Sequence, residues 1–68
     1  MNITSMKDLV TLRNDRNVSQ QQLASALGTF QSAIARIESG RVKPTLAFAI
    51  RYLDALGYTL TIKEKENE

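Results

Sequence analysis

The sequence predicts a mainly α domain of four helices followed by one short β-strand. Apolar residues recur at three- and four-residue spacing from Met6 to Leu56. Residues that favour a left-handed backbone or break a helix divide this run into four pieces: Asn17, Gly28, Gly40 with Pro44, and Gly57. After Gly57 the period falls to two, with Tyr58, Leu60 and Ile62 alternating with Thr59, Thr61 and Lys63.

Helix 1 is expected from Ser5 to Arg16. Ser5 is a fair N-cap, Asp8 completes a capping-box-like pair, and Met6, Leu9, Val10, Leu12 and Arg13 follow helical spacing. Helix 2 opens on the capping box Ser19-Gln20-Gln21-Gln22, with Val18 before it as a hydrophobic staple. Leu23, Ala24 and Leu27 form its inner face, and Gly28 stops it. Helix 3 is expected from Phe30 to Ser39, with Ile34 and Ile37 facing inward and Gly40 ending it. Lys43-Pro44-Thr45 breaks the chain and caps helix 4, expected from Thr45 to Leu56 with Leu46, Ala49, Ile50, Leu53 and Leu56 on one side. Phe48, Tyr52 and Tyr58 read as core or dimer-interface aromatics, since no basic–aromatic interleaving of the single-strand-binding kind surrounds them.

Residues 58–63 read as the strand. A lone strand leaves its backbone groups unpaired, so its simplest partner is the same strand of a second copy. Tyr58, Leu60 and Ile62 are therefore candidate dimerisation residues, and residues 64–68 read as a disordered, solvated tail.

A chain of 68 residues is expected to form a single domain whose small core gains from dimerisation. With no Cys and no His, the usual nucleophile, general base and metal ligands are missing, so no enzyme, metal or cofactor is expected. The longest apolar run, Leu46 to Ile50, is far short of a membrane span, and the first residues show no signal-peptide pattern. A cytoplasmic protein is expected. The net charge is only +2, yet its distribution is uneven. Residues 1–57 hold seven Lys and Arg against four acids, +3, whereas residues 58–68 hold two Lys against three Glu, −1. A basic body is compatible with nucleic acid, and charge alone does not distinguish this from a solvated surface with no partner.

The segment from Gln20 to Arg41 carries most of the information. Two short helices are joined by a tight turn at Gly28, with a small Ala24 where the helices cross. Ile34 and Ile37 point inward, which leaves Gln31, Ser32, Ala33, Ala35 and Arg36 on or near the free face. Ser19-Gln20-Gln21-Gln22-Leu23-Ala24, Gly28, the run Gln31-Ser32-Ala33-Ile34-Ala35-Arg36-Ile37-Glu38-Ser39-Gly40-Arg41, Pro44 and Ala55-Leu56-Gly57 together resemble the lambda-repressor-like helix-turn-helix family, the XRE or Cro/repressor type. The match covers about residues 6–57, within an expected helix-turn-helix domain of residues 1–57.

That resemblance implies a sequence-specific DNA-binding repressor, dimeric, with helix 3 in the major groove of a palindromic operator. By family position Gln31 reads adenine, Arg36 reaches guanine or a phosphate, and Ser32 and Ala33 meet a base edge or a thymine methyl. Ser19 and Gln20 at the start of helix 2, with Arg41 and Lys43 after helix 3, match phosphate-contacting positions. Arg13 and Glu38 match a family salt bridge and read as structural. Each also has a plainer reading: Gln31 and Ser32 as solvated surface, Arg36 as a surface cation, Ser19 as a cap, Arg41 and Lys43 as complements to a helix C-terminus.

Phe30 departs from the family, which usually carries Ser or Thr there. Phe has no capping oxygen, so Thr29 is expected to cap instead, shifting the helix start by one residue. Phe30 then either packs on a thymine methyl or folds back onto helix 2. The C-terminal strand resembles antitoxins of type II toxin–antitoxin operons, which implies autorepression and a toxin partner. Stand-alone phage-type or restriction–modification regulators, and a protein-interaction module without DNA binding, are the alternatives.

Overall fold

The computed structural model describes Ile3 and residues 5–61. Four helices follow in order: α1 Met6–Asp15, α2 Gln20–Leu27, α3 Gln31–Glu38 and α4 Leu46–Ala55. The starts of α1, α2 and α4 follow from side-chain oxygens in the first turn. Ser19 Oγ accepts from the Gln22 N–H at 3.0 Å while Gln22 Oε1 accepts from the Ser19 N–H at 2.8 Å, so the capping box is closed in both directions. Thr45 Oγ1 accepts from the Phe48 N–H at 3.0 Å, and Asp8 Oδ2 accepts from the Ser5 N–H at 3.2 Å.

All four helices end in one way. Among the described residues, those at positive φ are Asn17, Gly28, Gly40 and Gly57. In each case the next residue donates its N–H back five positions: Val18 to Arg13, Thr29 to Ala24, Arg41 to Arg36 and Tyr58 to Leu53, at 3.3, 2.9, 3.0 and 2.9 Å. This is the Schellman closure, which satisfies carbonyls that the helix itself leaves open. Gly28, at φ +70°, meets no other atom at its Cβ position, so only the backbone conformation demands glycine in this turn.

α2 lies at the centre, packed on α3 and α4, while α1 packs on α3. The core is Leu9, Leu23, Ala24, Ile34, Tyr52, Leu53 and Leu56, with Met6, Leu12, Val18, Leu27, Phe48, Ala49 and Tyr58 around it. Phe48 meets the Tyr52 ring edge-on at 6.2 Å. Among the described residues no helix is long and apolar enough to cross a membrane.

Three expectations are corrected. First, the apolar side of α4 is not buried as a whole. Leu46 and Ile50 on that side are 66% and 45% exposed, while Tyr52 is fully buried. At 100° per residue the buried arc centres on Tyr52, Leu53, Leu56 and Ala49, which puts Leu46 and Ile50 at its margin. A tyrosine can take that position because its hydroxyl finds a partner, as shown below. Second, Thr29 does not cap α3. Its N–H closes α2, so its backbone belongs to the preceding helix end, and Phe30 is the N-cap by backbone alone, its carbonyl accepting from Ala33 and Ile34. Third, residues 58–61 form no strand. Tyr58 is held by the α4 closure, and no other strand exists among the described residues to pair with this stretch. Ile62, Lys63 and residues 64–68 lie outside the described residues.

This burial pattern predicts unequal costs for truncation. Ile34→Ala should destabilise the fold by about 2–5 kcal/mol, as a fully buried branched side chain does. Leu46→Ala, on an exposed side chain, should cost less than about 1 kcal/mol. Urea denaturation of both variants checks this, and comparable losses would return Leu46 to the core.

Candidate nucleic-acid interface

The inner side of α3 is occupied by Ile34, which is fully buried, with Ile37 and Glu38 beside it. The outer side therefore turns to solvent. Gln31, Ser32 and Arg36 are exposed, and Ala33 and Ala35 are half-buried at the edges of the same face. Ser39, which the sequence pattern does not single out, continues this face one turn beyond Ala35 and two turns beyond Ser32. Ser32, Ala35 and Ser39 are short, so a flat partner can approach the helix closely while Gln31 and Arg36 reach outward.

Phe30 stands at the N-terminal end of this face and is 79% exposed. It does not fold back onto α2.

Arg41 is brought to the other end by the closure of α3. The Arg36 carbonyl accepts from Arg41 N–H at 3.0 Å, Val42 N–H at 3.3 Å and Ser39 Oγ at 3.0 Å. The chain wraps round that one oxygen, and Ala35, Arg36, Ser39 and Arg41 line a shallow hollow of about 220 Å³. Two guanidinium groups thus border the C-terminal half of the face. Lys43 is exposed in the following loop.

Ser19 and Gln20 are placed by the α2 cap. The Ser19 oxygen is engaged by Gln22, and its hydroxyl proton remains free to donate. Gln20 is half-buried: Nε2 donates to Glu38 Oε1 at 3.0 Å, and Oε1 accepts from Gln31 Nε2 at 3.4 Å. The first residue of α2 and the first residue of α3 are thereby joined across the turn.

Arg13 and Glu38 form the expected salt bridge, and it is bidentate: Nε to Oε2 at 2.8 Å and Nη2 to Oε1 at 2.9 Å. Arg13 Nη1 also donates to the Val18 carbonyl at 2.7 Å, and the Tyr52 hydroxyl donates to Glu38 Oε2 at 2.7 Å. Burial alone would push the Glu38 carboxyl up, but the bonds from Arg13, Tyr52 and Gln20 and the Arg13 charge outweigh it and hold the group below its ordinary range. Tyr52 moves the other way: burial first, then its bond to the carboxylate and the carboxylate's charge, push the phenol well above its ordinary value. The bond to Glu38 raises Arg13, against the lowering effect of burial. The part played by Tyr52 was not read from sequence, where nothing marks a core aromatic as a carboxylate donor.

Two further contacts were also outside the sequence reading. Arg51 Nη2 donates to the Leu27 carbonyl at 2.9 Å, satisfying the end of α2. The Arg16 guanidinium lies over the Tyr58 ring, 4.3 Å from its centre. Tyr58 is thus half-buried against the domain, while Leu60 is 36% exposed. Of the candidate dimerisation residues, Ile62 lies outside the described residues. No group of acidic, His or Cys side chains among the described residues could hold a metal ion.

The chain matches the model of the helix-turn-helix family over residues 9–63. It belongs to that family. A protein described as an uncharacterized HTH-type transcriptional regulator from Haemophilus influenzae is 39% identical over 62 residues, covering 91% of this chain and 63% of that protein. The chain therefore spans under two thirds of that regulator's length. Among solved structures, a toxin–antitoxin module from Streptococcus pneumoniae superposes with a TM-score of 0.66 at 36% identity, over 90% of this chain and 67% of that one. Both agree with the helix-turn-helix formed here by α2 and α3.

The Glu38 cluster sets the pH range of the fold. Glu38 is lowered in the native state, so its stabilisation is complete above its ordinary value of 4.5 and is lost as pH falls through the native value. Tyr52 is raised, so its contribution is complete below 10.0 and is lost as pH rises through the native value. Stability should be level between about pH 5.5 and 9 and fall on both sides. Glu38→Gln should cost about 3–5 kcal/mol near neutrality, because it leaves the Arg13 charge uncompensated. It should also flatten the acid limb. Thermal melts from pH 2.5 to 11 test both, and an unchanged acid limb in the variant would count against the assignment.

Proposed function

We propose that this helix-turn-helix protein is a sequence-specific DNA-binding transcriptional repressor. The observation that carries this reading is the outer face of α3, with long polar Gln31 and Arg36 set among short Ser32, Ala33 and Ala35. An α-helix with such a face fits the major groove, where a glutamine amide matches adenine N6 and N7 and an arginine matches guanine or a phosphate. Exposed Phe30 provides an apolar contact for a thymine methyl. Gln20, Ser19, Arg41 and Lys43 flank the face and serve as phosphate contacts that set its register on the duplex. The relative described as a transcriptional regulator supports this reading.

The repressor acts as a homodimer on a palindromic operator, with the two copies of α3 about 34 Å apart. The stretch after Gly57 is the proposed contact between copies, through the apolar side chains of Tyr58 and Leu60. The toxin–antitoxin module supports the finer reading of an antitoxin that represses its own promoter and binds a cognate toxin. It works in the cytoplasm, without enzymatic activity, metal or cofactor.

Base reading and phosphate binding separate by mutation. Gln31→Ala and Arg36→Ala should each cost about 1–3 kcal/mol on the operator and relax preference at one position. Arg41→Ala should weaken all sequences alike and lower the salt slope by about one unit. Titrations on operator and scrambled duplex at several salt concentrations distinguish these, and equal losses of both duplexes for Gln31→Ala would remove its base-reading role.

Deleting residues 58–68 should shift the protein to monomer in sedimentation. A truncated chain that remains dimeric would place the interface elsewhere. Affinity purification from the native host tests the partner: stoichiometric recovery of a toxin supports the antitoxin reading, whereas enrichment of promoter DNA alone supports a stand-alone repressor.

A further inference from the structure

The salt bridge at Glu38 is joined to the DNA face by a continuous path, and that path has a direction. An ionised carboxylate only accepts hydrogen bonds. Glu38 is filled with four donors, Arg13 Nε and Tyr52 Oη on Oε2, Arg13 Nη2 and Gln20 Nε2 on Oε1. Because Glu38 cannot donate, Gln20 must turn its NH2 toward it. The Gln20 carbonyl then faces away, toward Gln31, and Gln31 answers with its own Nε2 at 3.4 Å. Which end of an amide points where is ordinarily open, since either orientation fills the same space. Here one buried charge decides it for Gln20 and, through Gln20, biases it for Gln31.

The consequence is chemical. With one Nε2 hydrogen directed at Gln20, Gln31 keeps its Oε1 and its second Nε2 hydrogen for a partner. That acceptor and donor, in a fixed order, are the complement of adenine N6–H and N7. A flipped amide would exchange their places and lose the match. The 3.4 Å link is long, so it biases the exposed side chain without locking it.

We infer that Glu38 is a positioning residue for base reading, setting through Gln20 the amide orientation that Gln31 presents to DNA. This rests on the DNA-binding reading of α3 and assigns to the buried ion pair a role in specificity beyond holding the helices together. Glu38 itself touches no base.

The test must separate orientation from folding. Glu38→Gln leaves Arg13 buried and uncompensated, and the variant can fail to fold. The double variant Arg13→Met with Glu38→Gln removes both charges, a change that buried pairs tolerate. It leaves at position 38 a neutral amide that can donate as well as accept, so the direction of the path is lost.

A random duplex pool selected with the wild-type protein defines the operator, and affinities are then measured with each base pair substituted in turn. Wild type should discriminate by roughly 5- to 150-fold at the pair that Gln31→Ala relaxes, the range for a bidentate amide contact. In the double variant that ratio should fall below about threefold, while ratios at pairs governed by Arg36 stay within about twofold. A merely structural role would lower all affinities and leave every ratio intact, and that result would overturn the inference while keeping the DNA-binding reading.

Side-chain amide exchange in the free protein gives a readout independent of DNA. The Gln20 NH2 protons should exchange more slowly in the wild type than in the double variant. Selection of no sequence by the wild type would overturn the DNA-binding reading. Equal Gln20 exchange rates in the two proteins would overturn the positioning path whatever the DNA result.

Discussion

One carboxylate holds the four helices in register. Glu38, at the end of α3, accepts from Arg13 on α1, Gln20 at the start of α2 and Tyr52 on α4. Taking such a group out of water is unfavourable, and it stays charged only because every acceptor site is filled. The arrangement tolerates no slippage. A small rotation of any helix would leave a buried donor or the carboxylate itself unpaired, at a cost of several kcal/mol. Apolar packing alone is less exacting, since a core of Leu9, Leu23, Ile34, Leu53 and Leu56 admits neighbouring arrangements of similar volume. The ion pair thus selects among packings that the hydrophobic effect makes possible.

The connections impose a second constraint. Each helix ends with one residue in the left-handed conformation and a returned N–H from the residue after it. Such closures turn the chain sharply and leave little slack, so α2 and α3 meet across Gly28, Thr29 and Phe30 alone. With Ile34 fixed inward, no element among the described residues covers the opposite side of α3. The exposed face is what remains once the core is satisfied, and the short side chains on it keep it accessible. Function and packing are two sides of one helix, and Gln20, bonded to both Glu38 and Gln31, joins them.

Much of this was legible in the residues. The caps at Ser19 and Thr45 and the stops at Asn17, Gly28, Gly40 and Gly57 act over four or five residues, and each was placed correctly. The Arg13–Glu38 pair came from family resemblance, not from spacing. The misreadings share a cause. Leu46 and Ile50 share the apolar side of α4 by spacing, yet Tyr52 is buried more deeply than either because a carboxylate from another helix meets its hydroxyl. Thr29 was expected to cap α3 because it has the right oxygen, yet its backbone was already engaged by α2. Tyr58 was read as the first residue of a strand from its alternation, yet the same N–H closes α4.

The sequence by itself determined the number of helices, their ends and the identity of the turn, because capping, backbone conformation and apolar period are local properties. Only the tertiary structure decided which way α4 faces, where Phe30 goes and how Gln20, Gln31, Glu38 and Tyr52 form one hydrogen-bonded path. Those outcomes depend on groups 11 to 25 residues apart satisfying one another, as between Gln20 and Gln31 or Arg13 and Glu38. A buried polar group takes whichever partner the fold brings within 3 Å, and no local pattern records which one that is.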